Sequence, residues 1–217
     1  MGFQEIIKGI KEVRIQGARN IAIAGLKAYS MRPTKDTVRK LLSLRKTEPA
    51  LRNALKFAEN NSVKEALEHF EFSKEEIKRI GWKIVRKRIF THCHSSHVID
   101  VLKEAKKRGK KFEVYNSETR PLDQGRRTAK ELAKARIPVT MVSDLEAGDV
   151  LTKGGEIKKV GLMLIGADAI LINGNVINKV GSGMLAELAY RHKIPVYVVT
   201  GSWKFSMKNV GIEERDF

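Results

Sequence analysis

The stretch RIFTHCHSSHVIDVLKEAKKRGKKFEVYN, residues 88–116, decides the fold. Residues 88–92 form a short run containing Ile89, Phe90 and Thr91, residues 96–108 carry apolar side chains at helical spacing, and residues 111–116 return to a short strand-like run. Strand, helix, strand in this order is a crossover unit, because consecutive parallel strands need a helix-length connection. Working outward, residues 138–142, 161–165 and 195–200 read as further strands, and residues 123–135 and 183–192 as helices. The alternation predicts a parallel sheet covered by helices. Between Ala169 and Val180, Ile170-Leu171-Ile172, Asn173-Gly174 and Val176-Ile177 read as a hairpin with a tight turn.

Upstream the pattern is helical. Residues 3–26, 37–44, 48–60 and 62–80 have apolar side chains three and four apart, punctuated by Pro33 and Pro49. Ser73-Lys74-Glu75-Glu76 has the Ser-x-x-Glu form of a capping box and predicts a separate short helix starting there. The expected fold class is α/β, with an N-terminal helical domain over residues 1–80 followed by a Rossmann-like parallel-sheet domain over residues 81–217. No internal repeat or low-complexity segment is visible.

With 217 residues and 42% hydrophobic content, the chain can form a substantial core. No run of 18 apolar residues exists, and Met1-Gly2-Phe3-Gln4-Glu5 lacks the basic and apolar regions of a signal peptide, so a cytoplasmic location without membrane contact is expected. The single cysteine, Cys93, cannot form an intramolecular disulfide. The net charge of +17 is unevenly spread: residues 1–111 carry 27 Lys and Arg against 12 Asp and Glu, the remainder 15 against 13. The clusters at residues 83–88 and 106–111 are either solvated surface or a nucleic-acid contact through the basic N-terminal half. Without interleaved aromatics, solvated surface is the reading to prefer.

Cys93 closes a predicted strand, and Ser95 or Ser96 can cap the helix that follows. Free backbone N–H groups and the positive helix end would there attract phosphate and lower a thiol pKa. A lone buried cysteine is nevertheless more often an inert core residue. His92, His94 and His97 invite a metal reading, but there is no second ligand cluster, and no metal is expected. Asp168 directly follows an apolar strand and suits a helix cap, a turn or a general acid/base. Glu118, Arg120 and Gln124 lie between a strand and a helix, and Asn178-Lys179 precedes another helix. Taken singly, Glu118 with Arg120 is an ion pair fixing a loop, and Asn178-Lys179 an exposed turn. All four segments converge on the strand C-termini, where open α/β sheets bind ligands.

The series Thr91-His92-Cys93-His94-Ser95, Glu118-Thr119-Arg120-Pro121 with Gln124-Gly125, Gly166-Ala167-Asp168, Asn173-Gly174 with Val176 to Gly181, and Trp203-Lys204-Phe205 resembles a known superfamily. Its members are archaeal ribose-1,5-bisphosphate isomerase, methylthioribose-1-phosphate isomerase, and the regulatory subunits of the eukaryotic translation-initiation guanine-nucleotide exchange factor. The match covers residues 81–217 in order and extends more weakly to Ile15-Gln16-Gly17-Ala18 and to Arg45-Lys46-Thr47 followed by Leu51 to Leu55. Gln16 stands where the isomerases have a phosphate-binding arginine, and Arg45-Lys46-Thr47 replaces Arg-Pro-Thr. Arg32-Pro33-Thr34 matches that tripeptide literally, but the Asn-Ala-Leu downstream favours Arg45. Residues 215–217 end the chain where family members continue into a C-terminal segment.

The resemblance implies Cys93 and Asp168 as the catalytic pair. The regulatory subunits generally lack this cysteine, which favours the isomerase branch, and the histidines favour ribose-1,5-bisphosphate. The implied reaction is aldose–ketose isomerisation to ribulose-1,5-bisphosphate in nucleotide salvage, without cofactor. Gln16, Gly17, Arg45, Ser95, Ser96, Glu118, Arg120, Gln124, Asn178, Lys179 and Lys204 would bind the sugar phosphate, and a dimer or larger homo-oligomer is expected. The alternative is a non-catalytic translation initiation factor 2B-like regulatory or RNA-associated protein.

Overall fold

The computed structural model describes residues 1–45, 48–152 and 159–206. Lys46 and Thr47 of the Arg45-Lys46-Thr47 match, and residues 215–217, lie outside the described residues. In chain order the helices are α1 (Phe3–Lys11), α2 (Ala18–Met31), α3 (Lys35–Leu44), α4 (Pro49–Asn60), α5 (Val63–Gly81), α6 (Ser96–Lys107), α7 (Gln124–Lys134), α8 (Glu146–Thr152) and α9 (Ser182–Arg191). The strands are β1 (Arg88–Thr91), β2 (Glu113–Ser117), β3 (Val139–Val142), β4 (Leu162–Ile165), β5 (Ala169–Leu171), β6 (Val176–Ile177), β7 (Val196–Val198) and β8 (Phe205–Ser206).

The single helix expected over residues 3–26 is broken between α1 and α2. Val13 and Gly17 both adopt positive φ, 59° and 85°, which no α-helix continues through. Thr34 starts α3 by accepting the Thr37 N–H at 3.2 Å. The break expected at Ser73 does not occur, and α5 runs through it. The same Ser-x-x-Glu pattern works one helix-start earlier, where Ser62 Oγ accepts the Glu65 N–H at 3.1 Å and donates to Glu65 Oε2 at 2.6 Å. At Ser73 the apolar spacing overrides the cap: Phe70 and Ile77 lie one heptad apart, and each belongs to a different core.

The chain divides into two compact units, with the boundary inside α5 between Ser73 and Lys74 rather than at residue 80. The first unit is not the N-terminal helices alone. It includes residues 168–177 and the described residues 201–206, which form the three-stranded sheet β6-β5-β8. The hairpin has the expected turn, with Gly174 at φ 83° donating to the Leu171 carbonyl at 2.9 Å. What recruits residues 201–206 is α4: Asn53 Nδ2 donates to the carbonyls of Trp203 at 2.8 Å and Phe205 at 3.0 Å. The Trp203 ring stacks on His69 with centroids 3.9 Å apart and meets Phe70 edge-on at 4.9 Å. The helical core of this unit centres on Ile10, Leu26, Leu41, Leu51 and Leu55.

The second unit holds a five-stranded parallel sheet of order β3-β2-β1-β4-β7. Side chains along each strand alternate between two buried faces: Ile89, Leu162 and Leu164 enter one core with Leu102 and Leu132, while Phe90, Met163 and Ile165 enter the other with Leu151 and Leu185. Helix α8, absent from the sequence reading, is started by a reciprocal cap in which the Ser143 N–H reaches Glu146 Oε2 at 2.8 Å and the Glu146 N–H reaches Ser143 Oγ at 3.2 Å. Strand order reverses between β1 and β4, which makes the crevice beyond their C-terminal ends the switch point of the sheet.

The two basic clusters of this unit meet. Lys110 Nζ donates to the carbonyls of Lys83 at 2.8 Å and Val85 at 3.0 Å, and the Trp82 ring lies beneath Arg108 at 4.8 Å and Lys110 at 5.3 Å. Burial, with the charge of Arg86, lowers the pKa of Lys110. Arg88 pairs with Glu113 at 2.7 Å and Arg108 with Glu104 at 2.6 Å. Among the described residues no helix is long and apolar enough to cross a membrane.

Candidate active site

Strand β1 delivers His92 and Cys93 to the switch point, and Ser95 caps the helix that follows. Its Oγ accepts the Val98 N–H at 3.4 Å, as the sequence led us to expect. Gly166 directly follows strand β4, and its lack of a side chain lets Ser95 fit. A Cβ there would lie 2.6 Å from Ser95 Oγ and 2.7 Å from its Cβ. Gly166→Ala should therefore displace the cap and cost about 1 kcal/mol, measured as a shift in the urea midpoint.

Cys93 is partly exposed rather than sealed in the core. Its backbone is left-handed, with φ 69°, a conformation that non-glycine residues adopt at a cost on the order of 1 kcal/mol or more. Both sides of the residue are held. The Cys93 N–H donates to Thr119 Oγ1 at 2.9 Å, and the Cys93 carbonyl accepts from Thr128 Oγ1 at 2.9 Å.

His92 is 3% exposed and joins three segments. Its Nε2 lies 2.7 Å from the Val180 carbonyl, which can only accept, so Nε2 carries the proton. Burial holds the His92 pKa below its usual 6.5, against the opposing pull of the Val180 bond and the Asp144 charge, and with help from Lys179. The ring is thus neutral at pH 7, and Nδ1 accepts from Ser117 Oγ at 2.6 Å. The backbone of Gly181, with φ 91°, passes close beside the ring; a Cβ there would lie 3.4 Å from His92 Cε1 and Nε2. His92 so ties the segment before α9 to the ends of β1 and β2.

This histidine gives a pH dependence with a defined sign. A folded pKa below the unfolded one means that the unfolded chain binds the extra proton first, so stability falls as pH drops below about 6.5. The melting temperature should decline between about pH 7 and pH 5.5, and His92→Gln, which keeps the donor to Val180 but does not titrate, should flatten that decline.

His94 Nε2 donates to Glu131 Oε1 at 3.0 Å. Burial first, then Arg127, lowers the His94 pKa. Burial would raise that of Glu131, but the His94 bond, Arg127 and Lys103 together bring it below its usual value. Among the described residues no group of three or more His, Cys, Asp or Glu is arranged to hold a metal ion.

After β2 the chain turns sharply. Thr119 is fully buried and left-handed, with φ 63°, an outlier for a β-branched residue. The carboxylate of Asp144 accepts the N–H groups of Thr119 at 2.9 Å and Arg120 at 2.7 Å. The Glu118–Arg120 ion pair that the loop allowed is not formed. Each takes a partner beyond the turn instead: Glu118 pairs with Arg126 at 3.7 Å and Arg120 with Asp123 at 3.2 Å. Gln124 opens α7, and its Oε1 is buried without a protein hydrogen-bond partner. Asn178 Nδ2 donates to Ser182 Oγ at 2.9 Å, and both Asn178 and Lys179 are half-buried, so this is not the exposed turn that its composition allowed. Sequence reasoning missed Thr119, Thr128 and Asp144. The only signal for Asp144 was its place inside the Ser143-x-x-Glu146 cap.

Cys93, Ser95, Ser96, Glu118, Arg120, Gln124, Asn178 and Lys179 thus all belong to the second unit. Gln16, Gly17, Arg45, Asp168 and Lys204 belong to the first. Gln16 and Gly17 form the turn into α2, where the Gln16 carbonyl accepts from Asn20 Nδ2 at 3.0 Å and the Gly17 carbonyl from the Ile21 N–H at 3.0 Å. Arg45 ends α3 and is half-buried. Asp168 opens the β5–β6 hairpin, its N–H donating to the Ile177 carbonyl at 2.8 Å. Lys204 is only 9% exposed, in the turn that Asn53 holds.

Residues 26–216 match the Initiation factor 2 subunit family. The chain belongs to that family. The ribose 1,5-bisphosphate isomerase of Thermococcus kodakarensis is 31% identical, over 98% of this chain and 77% of that protein. The methylthioribose-1-phosphate isomerase of Fervidobacterium nodosum is 39% identical over 74% of this chain, which spans only 49% of the relative. The crystal structure of the Pyrococcus horikoshii OT3 translation initiation factor eIF-2B is similar with a TM-score of 0.86 and 26% identity, over 94% of this chain and 79% of that one. The eIF2B delta of Chaetomium thermophilum, at TM-score 0.77 and 17% identity over 95% of this chain and 89% of that one, shares the fold.

For this Initiation factor 2 subunit family member, the second unit offers a partly exposed thiol, a neutral imidazole and hydroxyl chain, and a capped helix N-terminus at one switch point. Such a set suits proton transfer on an anionic small molecule.

Proposed function

We propose that this chain is a sugar-phosphate isomerase that converts ribose 1,5-bisphosphate to ribulose 1,5-bisphosphate, with Cys93 and Asp168 as the proton-transfer pair. The observation that carries the reading is the left-handed, doubly held backbone of Cys93 at the switch point, since strain of this kind persists where function requires it. In the proposed reaction Asp168 protonates the ring oxygen as its bond to C1 breaks. Cys93, as thiolate, removes the proton from C2, giving an enediol-type phosphate. The C2 hydroxyl then loses its proton to the Asp168 carboxylate and becomes the ketone, and the Cys93 thiol returns a proton to C1, so both groups end in the protonation states in which they began. No net oxidation occurs. Arg45, Arg120, Lys179 and Lys204, with N–H groups near Ser95 and Ser96, would hold the phosphates, and Gln16, Gly17, Glu118, Gln124 and Asn178 would complete the substrate contacts.

The test is incubation with ribose 1,5-bisphosphate and, separately, methylthioribose 1-phosphate. Formation of ribulose 1,5-bisphosphate with a kcat/KM at least tenfold above that for the methylthio sugar is the expected result, and turnover of neither removes the proposal. A homo-oligomer is proposed with it, and light scattering at micromolar concentration should show more than a monomer.

A second reading concerns the basic clusters, because Lys110 draws residues 83–88 and 106–111 into one patch. As a non-catalytic or additional role, this patch would bind the phosphate backbone of RNA without reading sequence, since both cations over Trp82 occupy its ring. Affinity for a mixed-sequence RNA should then fall steeply with salt, with a slope reduced in Lys106→Glu/Lys107→Glu.

A further inference from the structure

We propose that Thr119 and Asp144 are positioning residues that hold Cys93 in its left-handed conformation and so set the reactivity of its thiol. This deepens the isomerase reading and rests on it for the role of Cys93. Three contacts within one unit form a relay. Asp144, from the segment after β3, accepts two consecutive N–H groups, those of Thr119 and Arg120. Two parallel donors on one carboxylate fix the turn at Thr119, although threonine disfavours positive φ. That turn aims Thr119 Oγ1 at the Cys93 N–H, the contact made on the N-terminal side of the second left-handed residue. Thr119 Oγ1 also lies 3.3 Å from the Ser117 carbonyl, to which it donates, so its free lone pairs face Cys93. Without Asp144 the Thr119 and Arg120 N–H groups lose this shared acceptor, and without Thr119 Oγ1 the Cys93 N–H loses the contact that Thr119 makes to it.

The roles separate by substitution. Thr119→Gly removes the hydroxyl while relieving the left-handed strain, which offsets part of the loss of a buried side chain, so the variant should still fold, with a melting temperature lowered by a few degrees at most. Thr119→Ser keeps the hydroxyl. Asp144→Asn keeps the shape but sets an NH2 against one of the two N–H donors. Two readouts are taken on the full chain: kcat and KM with ribose 1,5-bisphosphate, and the pH profile of iodoacetamide alkylation, which reports Cys93 alone because it is the only cysteine. Expected are a kcat at least tenfold lower in Thr119→Gly and Asp144→Asn, a KM within about threefold, an alkylation midpoint moved to higher pH, and near wild-type values in Thr119→Ser. Wild-type kcat and alkylation profile in either Thr119→Gly or Asp144→Asn overturn the proposal, as does a Thr119→Ser variant impaired as much as Thr119→Gly. If the unsubstituted chain fails to isomerise the sugar, the isomerase reading falls, and the alkylation profiles decide on positioning by themselves.

Discussion

Cys93→Ser should leave folding nearly intact and lower isomerase turnover by two or more orders of magnitude, about the worth of a well-placed acid/base group. Folding should survive because the replacement is almost isosteric and the site is partly exposed, so neither a cavity nor a buried unpaired group of consequence results. The contacts that hold residue 93 are made by its backbone, to Thr119 and Thr128, and do not depend on the thiol. A serine hydroxyl would sit in the same place with a pKa far too high to exchange a proton with carbon near neutral pH. Asp168→Asn should be impaired in the same way, keeping shape and losing the titratable proton. The double variant should be little worse than the poorer single one, because two groups serving one reaction are not additive. Initial rates with ribose 1,5-bisphosphate, beside thermal melts of each variant, decide it. Near-normal turnover in Cys93→Ser ends the mechanism, and a large loss of thermal stability would return the cysteine to a packing role.

Much of the second unit was legible because its signals are local. Ile89-Phe90-Thr91 and Leu162 to Ile165 announce strands buried on both faces, and Ser95 announces the start of α6. The five parallel strands and helices α6, α7 and α9 follow from such runs, whereas α8 does not. What escaped depends on distant partners. Nothing near residues 169–177 says that the hairpin belongs with the N-terminal helices. That follows from β8, which pairs with β5, and from Asn53, which holds the carbonyls of Trp203 and Phe205. The Ser73 capping pattern failed because a cap competes with apolar spacing, and Phe70 and Ile77 kept the helix whole. Within the candidate site, strand ends could be located, but not the conformation of the residues on them. Positive φ at Cys93 and Thr119 is imposed by hydrogen bonds from α7 and from the segment after β3, and neither residue type advertises it.

Gly125→Ala should be the most damaging single-methyl change in the second unit. The start of α7 lies directly against the end of β2: a Cβ on Gly125 would overlap the Ser117 carbonyl oxygen and come within 2.8 Å of the carbonyl carbons of Ser117 and Glu118. These are backbone atoms and cannot rotate aside. They are pinned further by Asn116, whose Nδ2 donates to the carbonyls of both Ser117 and Gly125 at 3.0 Å, and by the Gly125 N–H, which donates to the Glu118 carbonyl at 3.0 Å. Relief therefore requires α7 and the 117–124 loop to move together, which breaks buried hydrogen bonds at a cost of about 3 kcal/mol, or roughly 6–12 °C in melting temperature for a chain of this size. The displacement would reach the thiol as well, since Thr119 lies in the loop and Thr128 on α7, and both hold the Cys93 backbone. Activity should therefore fall even below the melting transition. Gly183→Ala is the matched control: it sits in α9 with nothing within 4 Å of the added methyl, and alanine is the better helix former, so it should be neutral or stabilise by up to about 1 kcal/mol. Equal melting temperatures for the two variants would contradict the close approach of α7 to β2, and with it the account of how Cys93 is held.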